Sequence, residues 1–161
     1  MKYRDIIENA LQNHGADYCE IRIEETDNTR LTYRGDSLDS IGQTSGLGGN
    51  VRAATKGGWG FASFNSLDEL RSKVTDATVQ SRAVGDSKTQ LAEVDHFVDI
   101  VPPHIVCDPS RIPLGEKKRI MDHYKDLLLS VNGISSADII YGDTSRKTFF
   151  ANSNSNGKGR I

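Results

Sequence analysis

The sequence predicts an α+β fold: a mainly antiparallel sheet in meander order, with helices packed on one face, followed by a second small α/β segment. Three observations predict it. Short runs of alternating polarity follow one another between residues 19 and 63, separated by turn-forming residues. Apolar residues at helical spacing bracket those runs, over 3–13 and again over 66–85. At their centre, residues 45–63 read SGLGGNVRAATKGGWGFAS, two short strands around Lys56-Gly57-Gly58, with the only tryptophan of the chain at Trp59.

Taken in order, Tyr3, Ile6, Ile7, Ala10 and Leu11 lie on one face of a first helix, and Gly15 is placed to end it. Cys19, Ile21 and Ile23 then alternate with Glu20, Arg22 and Glu24, the period of a strand with one wet face. Asp27-Asn28 and Gly35-Asp36 read as turns, with strands resuming at Leu31–Tyr33 and again at 38–41. The hairpin follows, its first strand at 51–55 and its second at 59–63. Its glycine pair is able to take the positive φ of a two-residue turn. Gly46, Gly48 and Gly49 allow a sharp bend there, or a close approach of backbone to backbone. Ser66-Leu67-Asp68-Glu69 has the hydroxyl and carboxylate spacing of a capping box, and Leu67, Leu70, Val74 and Ala77 mark the buried stripe of a helix that Gly85 ends.

Residues 1–88 thus form a helix–meander–helix domain. Residues 89–112, polar at first and then apolar up to Pro102-Pro103, read as a linker that partly docks. Residues 113–161 start a second helix–hairpin segment. Pro113 suits its first helical turn, and Leu114, Ile120, Met121, Tyr124, Leu127 and Leu128 lie on the apolar side of the helix. Two strands, at 137–141 and 147–151, follow around Gly142-Asp143. The ending NSNSNGKGRI reads as a turn and a restarting strand, so this segment looks interrupted.

Charge narrows the function classes. Net charge is −2, and neither half of the chain is basic, which argues against nucleic-acid phosphates as the main partner. No apolar run reaches the ~18 residues of a membrane span, and no signal-peptide core opens the chain. Cys19 and Cys107 are too few for a disulfide framework, so a reduced, cytoplasmic setting is expected.

Catalytic motifs are missing. His14, His96, His104 and His123 lack metal-protease spacing, and no serine sits in a nucleophile elbow. Cys19 falls on the apolar face of a strand, where a small buried thiol is the ordinary reading. The glycines at 46–49 precede a strand, not a helix, and so cradle no phosphate. Trp59 and Phe61 share a face of the hairpin. Core packing is the simpler account, and a partner or an extended peptide at the adjoining edge is the sharper one. Arg52 pairs with a strand acid or lines a cleft; the sequence leaves both open. Arg52, Trp59 and Phe61 are the candidate partner- or peptide-binding residues, and no catalytic or metal-binding residue is assigned.

Four stretches together resemble the N-terminal part of the TldD/PmbA family, the metalloprotease-related proteins also called modulators of DNA gyrase. They are Gly15-Ala16-Asp17-Tyr18-Cys19-Glu20-Ile21-Arg22, then Ser45-Gly46 through Val51-Arg52-Ala53, then Gly58-Trp59-Gly60-Phe61-Ala62-Ser63, and Asn154-Ser155-x-Gly157. Asn50 after the double glycine departs from the usual pattern. The resemblance implies a longer protein. In the family a His-Glu-x-x-x-His helix supplies zinc ligands, and unfolded peptides enter a cavity enclosed by a dimer. That motif is not in this sequence, so no cofactor is expected in the chain, zinc is expected in the full-length protein, and the chain's own role is to dimerise or wall the cavity. A homodimer or a family heterodimer is the expected assembly. The alternatives are a stand-alone peptide-binding or adaptor module, and an inactive structural partner of the PmbA (TldE) type.

Overall fold

A computed structural model of the chain describes residues 2–87, 91, 92, 98–153, 159 and 160. Eight regular elements occur among them: α1 (Arg4–Leu11), β1 (Tyr18–Arg34), β2 (Ser37–Thr55), β3 (Gly58–Phe64), α2 (Leu70–Val84), α3 (Leu114–Leu129), β4 (Asp138–Ser153) and β5 (Gly159–Arg160). The strands form one antiparallel sheet in the order β3-β2-β1-β4-β5. The α+β class is therefore as expected. No helix among the described residues is long and apolar enough to cross a membrane.

The strands are longer and fewer than the sequence suggests. Asp27-Asn28 makes no turn, and β1 runs through it. The polar side chains that favour turns bond here to other residues instead of to their own backbone. The Ser45 hydroxyl donates to Asp27 at 2.6 Å, and the Thr144 hydroxyl donates to Asn28 at 2.8 Å. Gly142-Asp143 likewise lies inside β4, where Asp143 is engaged by Lys117. β2 passes through Gly46, Gly48 and Gly49 without a break. At Gly49 a Cβ would meet the Arg22 carbonyl oxygen at 2.3 Å, so close backbone approach is the need that glycine meets.

The turn at Gly35-Asp36 is present, with Gly35 at φ +60°. In the β2–β3 hairpin the positive φ values fall on Lys56 and Gly57, not on a glycine pair, and Gly58 already belongs to β3.

Chain contacts divide the molecule into two compact units, each built from separated stretches. The first comprises Met1–Glu25, Leu47–Val101 and Lys147–Ile161. It holds the hydrophobic core, in which Ile7 and Leu11 of α1, and Leu70, Val74 and Ala77 of α2, pack against Cys19, Ile21, Ile23, Val51 and Ala53 of the sheet. α1 and α2 thus cover one face, as their apolar spacing requires. Ser66 caps the start of the second helical stretch by accepting from the Asp68 amide, and one 3₁₀ turn, Leu67–Glu69, precedes α2. Gly85 ends α2 at φ −81°, without a left-handed cap. It is needed because a Cβ there would meet the Thr55 carbonyl oxygen at 2.2 Å.

The second unit comprises Thr26–Gly46 and Pro102–Arg146. Here the expectation for α3 holds only in part, with Leu114 and Met121 half-buried. Ile120, Tyr124, Leu127 and Leu128 are exposed, and the buried residue of the helix is Lys117. Its ammonium reaches Asp143 at 2.7 Å and the Thr29 hydroxyl at 3.3 Å. Lys118 holds Asp122, which also accepts from the Tyr33 hydroxyl at 2.5 Å. Polar side chains thus help to seat the helix, and hydropathy spacing alone cannot reveal that.

Of the stretch read as a linker, Val94 and Phe97 lie outside the described residues, and Ile100 and Val101 are exposed, not docked. β5 pairs with Asn152 and Ser153 of β4. The Asn154-Ser155-x-Gly157 motif lies outside the described residues.

Candidate functional site

The face of the first unit opposite α1 and α2 carries the candidate residues. Its origin is strand parity: in β3, Gly58, Gly60, Ala62 and Phe64 are buried, so Trp59 and Phe61 point the other way. Both are exposed, Trp59 by 37% and Phe61 by 55%, and core packing is thereby ruled out for them. Register brings Arg52 beside them. Arg52 lies directly opposite Phe61, and Ala54 lies opposite Trp59, so Arg52 and Trp59 are diagonal neighbours. The Arg52 guanidinium sits 4.6 Å from the centroid of the Trp59 ring. The structure therefore brings all three candidates together.

Two residues the sequence reading passed over complete the cluster. The Arg52 guanidinium also reaches Glu20 at 3.1 Å, so Arg52 pairs with a strand acid. The Tyr18 hydroxyl donates to the other Glu20 oxygen at 2.7 Å, and the Tyr18 ring stands edge-on to Trp59 with centroids 6.0 Å apart. Further along the same unit, Arg22 lies 5.9 Å from the Phe150 ring. Tyr18, Glu20 and Arg22 alternate on β1, so parity held the signal; which strand lay beside β2 had to be known before it could be read.

Chemically this surface offers contact groups, and its titratable side chains are tied up by one another. Both Glu20 oxygens are occupied by donors, which leaves a poor general base. Burial, then the hydrogen bond to Glu20, pushes the Tyr18 phenol up to about 12, so it stays protonated at neutral pH. Burial, then the Glu20 charge, pushes the Cys19 thiol up to about 12, which suits a packed thiol and not a nucleophile. Among the described residues no group of three or more His, Cys, Asp or Glu side chains is arranged to hold a metal ion. The described residues do not fit a zinc centre.

Residues 19–81 match the family description "PmbA/TldA metallopeptidase domain 1". Over this stretch the chain is similar to the TldD/PmbA family. It is 35% identical over 140 residues to a metalloprotease of Synechocystis, covering 86% of this chain and 30% of that protein. It is 26% identical over 140 residues to a metalloprotease of Methanocaldococcus jannaschii, covering 83% of this chain and 31% of that one. The chain thus spans about a third of the length of these curated relatives.

Two solved structures described as candidate modulators of DNA gyrase share the fold. The Thermotoga maritima protein gives a TM-score of 0.73 at 12% identity, over 94% of this chain and 35% of that chain. The Bacteroides thetaiotaomicron protein gives 0.73 at 19% identity, over 99% of this chain and 38% of that chain. TldE from Thermococcus kodakarensis gives 0.60 at 10% identity, over 93% and 35%.

Proposed function

We propose that this chain is the non-catalytic N-terminal portion of a TldD-like zinc metallopeptidase, acting in the cytoplasm on unfolded peptides. In this reading the exposed sheet face built on Arg52, Trp59 and Phe61 meets the second subunit of a homodimer or family heterodimer, or walls the peptide cavity. The observation that carries the reading is that face itself. Trp, Tyr, Phe and Arg are the side chains that anchor interfaces, and four of them converge here on the solvent side of a packed sheet. The curated relatives, both metalloproteases and about three times longer, support a parent peptidase whose catalytic groups lie in the remaining length.

Zinc content and peptide hydrolysis test it. Residues 1–161 alone are expected to carry no stoichiometric zinc and to cleave no unfolded casein, while a full-length family protein with this N-terminal region does both. Hydrolysis by residues 1–161, abolished by a chelator, would refute the non-catalytic assignment.

A further inference from the structure

Among the described residues β3 ends the sheet, and one side of it carries no strand. The register fixes which of its groups face that side. The two-residue turn makes Thr55 and Gly58 the closing pair, and every second residue from Gly58 onward bonds to β2. The main-chain groups of Trp59, Phe61 and Ser63 therefore point outward. The middle one is already taken: the Phe61 amide donates to the Gln80 side-chain oxygen at 3.2 Å. Gln80 projects from α2, whose backbone lies against β3 at Gly58 and Gly60.

An exposed glutamine held to one edge amide is a removable cap. Proteins blunt open edges in several ways, since an uncapped edge pairs with any extended chain. Gln80 blunts this one with a single neutral hydrogen bond. A peptide backbone offers the same acceptor, together with partners for the amides of Trp59 and Ser63, so it is able to displace the side chain. Alternate side chains of an added strand fall beside the Trp59 and Phe61 rings, which favours apolar residues at every second position.

We infer that the outer edge of β3 is a strand-addition site for an extended, alternately apolar peptide, held shut by Gln80. The inference deepens the peptide side of the reading above. Its test measures binding alone, so a result on zinc or hydrolysis does not bear on it.

The probe is a fluorescein-labelled, end-capped Thr-Val-Thr-Val-Thr-Val peptide, followed by fluorescence anisotropy. Gln80→Ala frees the Phe61 amide and is expected to bind the probe about fivefold tighter than the unaltered chain, the worth of one net hydrogen bond. Methylating alternate peptide amides is expected to remove binding to both. Ser63→Pro, which deletes one outward amide without touching the β2 ladder, is expected to weaken it. Circular dichroism melts confirm that each variant is folded.

Equal affinity of Gln80→Ala and the unaltered chain would overturn the inference, as would undiminished binding of the methylated probe or no binding to either protein. A Gln80→Ala chain that doubles its mass in light scattering, with unchanged probe affinity, would also overturn it, since the edge would then be guarded against self-pairing.

Discussion

Gly60 of β3 and Ala77 of α2 meet backbone against backbone: a Cβ placed on Gly60 would lie 1.9 Å from the Ala77 carbonyl oxygen. No rotamer relieves that contact, because the backbone fixes where the Cβ lies and the oxygen is main chain. The hairpin and the second helix are thus a single packed layer pair, and the exposed aromatic face is held rigid from behind.

Gly60→Ala is expected to force the helix off the strand and lower stability by about 3 kcal/mol, the upper end of overpacking costs. Gly42→Ala is the control, since nothing lies within 4 Å of a Cβ there. It is expected to be neutral or stabilising by up to ~1 kcal/mol. Urea melts of the two variants check both outcomes, and equal midpoints would remove the role assigned to Gly60.

Lys117 seats α3. Its side chain is 2% exposed, that of Asp143 is 11% exposed, and the Tyr141 ring lies 5.8 Å from the ammonium. Burial works to raise the Asp143 carboxyl, but the hydrogen bonds from Lys117 and Tyr141 outweigh it and hold the group below its ordinary value of 3.8. That contribution to stability is present above pH 3.8 and fades as pH falls through the folded-state value. Lys117→Met leaves a buried carboxylate unpaired and is expected to cost about 3–5 kcal/mol. The double variant Lys117→Met, Asp143→Leu is expected to recover most of the loss, as read in a double-mutant cycle by denaturant melts. Additive losses would show that the pair is not coupled.

His14 gives a second, milder pH dependence. Its Nδ1 accepts from the Ala16 amide at 3.1 Å, and its carbonyl accepts from the buried Thr78 hydroxyl at 3.2 Å. Burial pulls the imidazole below its ordinary value of 6.5. The neutral form is the one that fits, so stability is complete above pH 6.5 and declines as pH falls through the folded-state value. The melting temperature is expected to drop between pH 7 and 5. His14→Asn, which keeps an acceptor at the same place, is expected to flatten that slope. An unchanged slope in the variant would assign the pH dependence elsewhere.

Much of the first unit was legible in the sequence. The spacing of Ile7, Ala10 and Leu11, the alternation of Cys19, Ile21 and Ile23, and the stripe of Leu70, Val74 and Ala77 all report burial against one core, and all are buried. Periodicity works there because apolar contact is what holds those elements. It fails in the second unit for the converse reason. α3 is held by Lys117 and by the Lys118–Asp122–Tyr33 contacts, and its apolar residues Ile120, Tyr124, Leu127 and Leu128 are exposed. Turn chemistry failed at Asp27-Asn28 because their side chains found partners distant in sequence, Ser45 and Thr144. At the site, a turn on the glycine pair would have set Arg52 opposite Ser63, whereas the turn at Lys56-Gly57 sets it opposite Phe61. Glu20 and Tyr18 needed the neighbouring strand, which no local pattern encodes.

The solution mass of the chain tests most directly the homodimer form of the central claim, in which the Arg52–Trp59–Phe61 face meets a second copy. Multi-angle light scattering on residues 1–161 and on Phe61→Asp, which places a charge among the exposed rings without entering the core, reads it out. The account predicts a dimer for the unaltered chain and, for Phe61→Asp, a monomer that still melts cooperatively. One mass shared by both proteins, whether monomer or dimer, would contradict it.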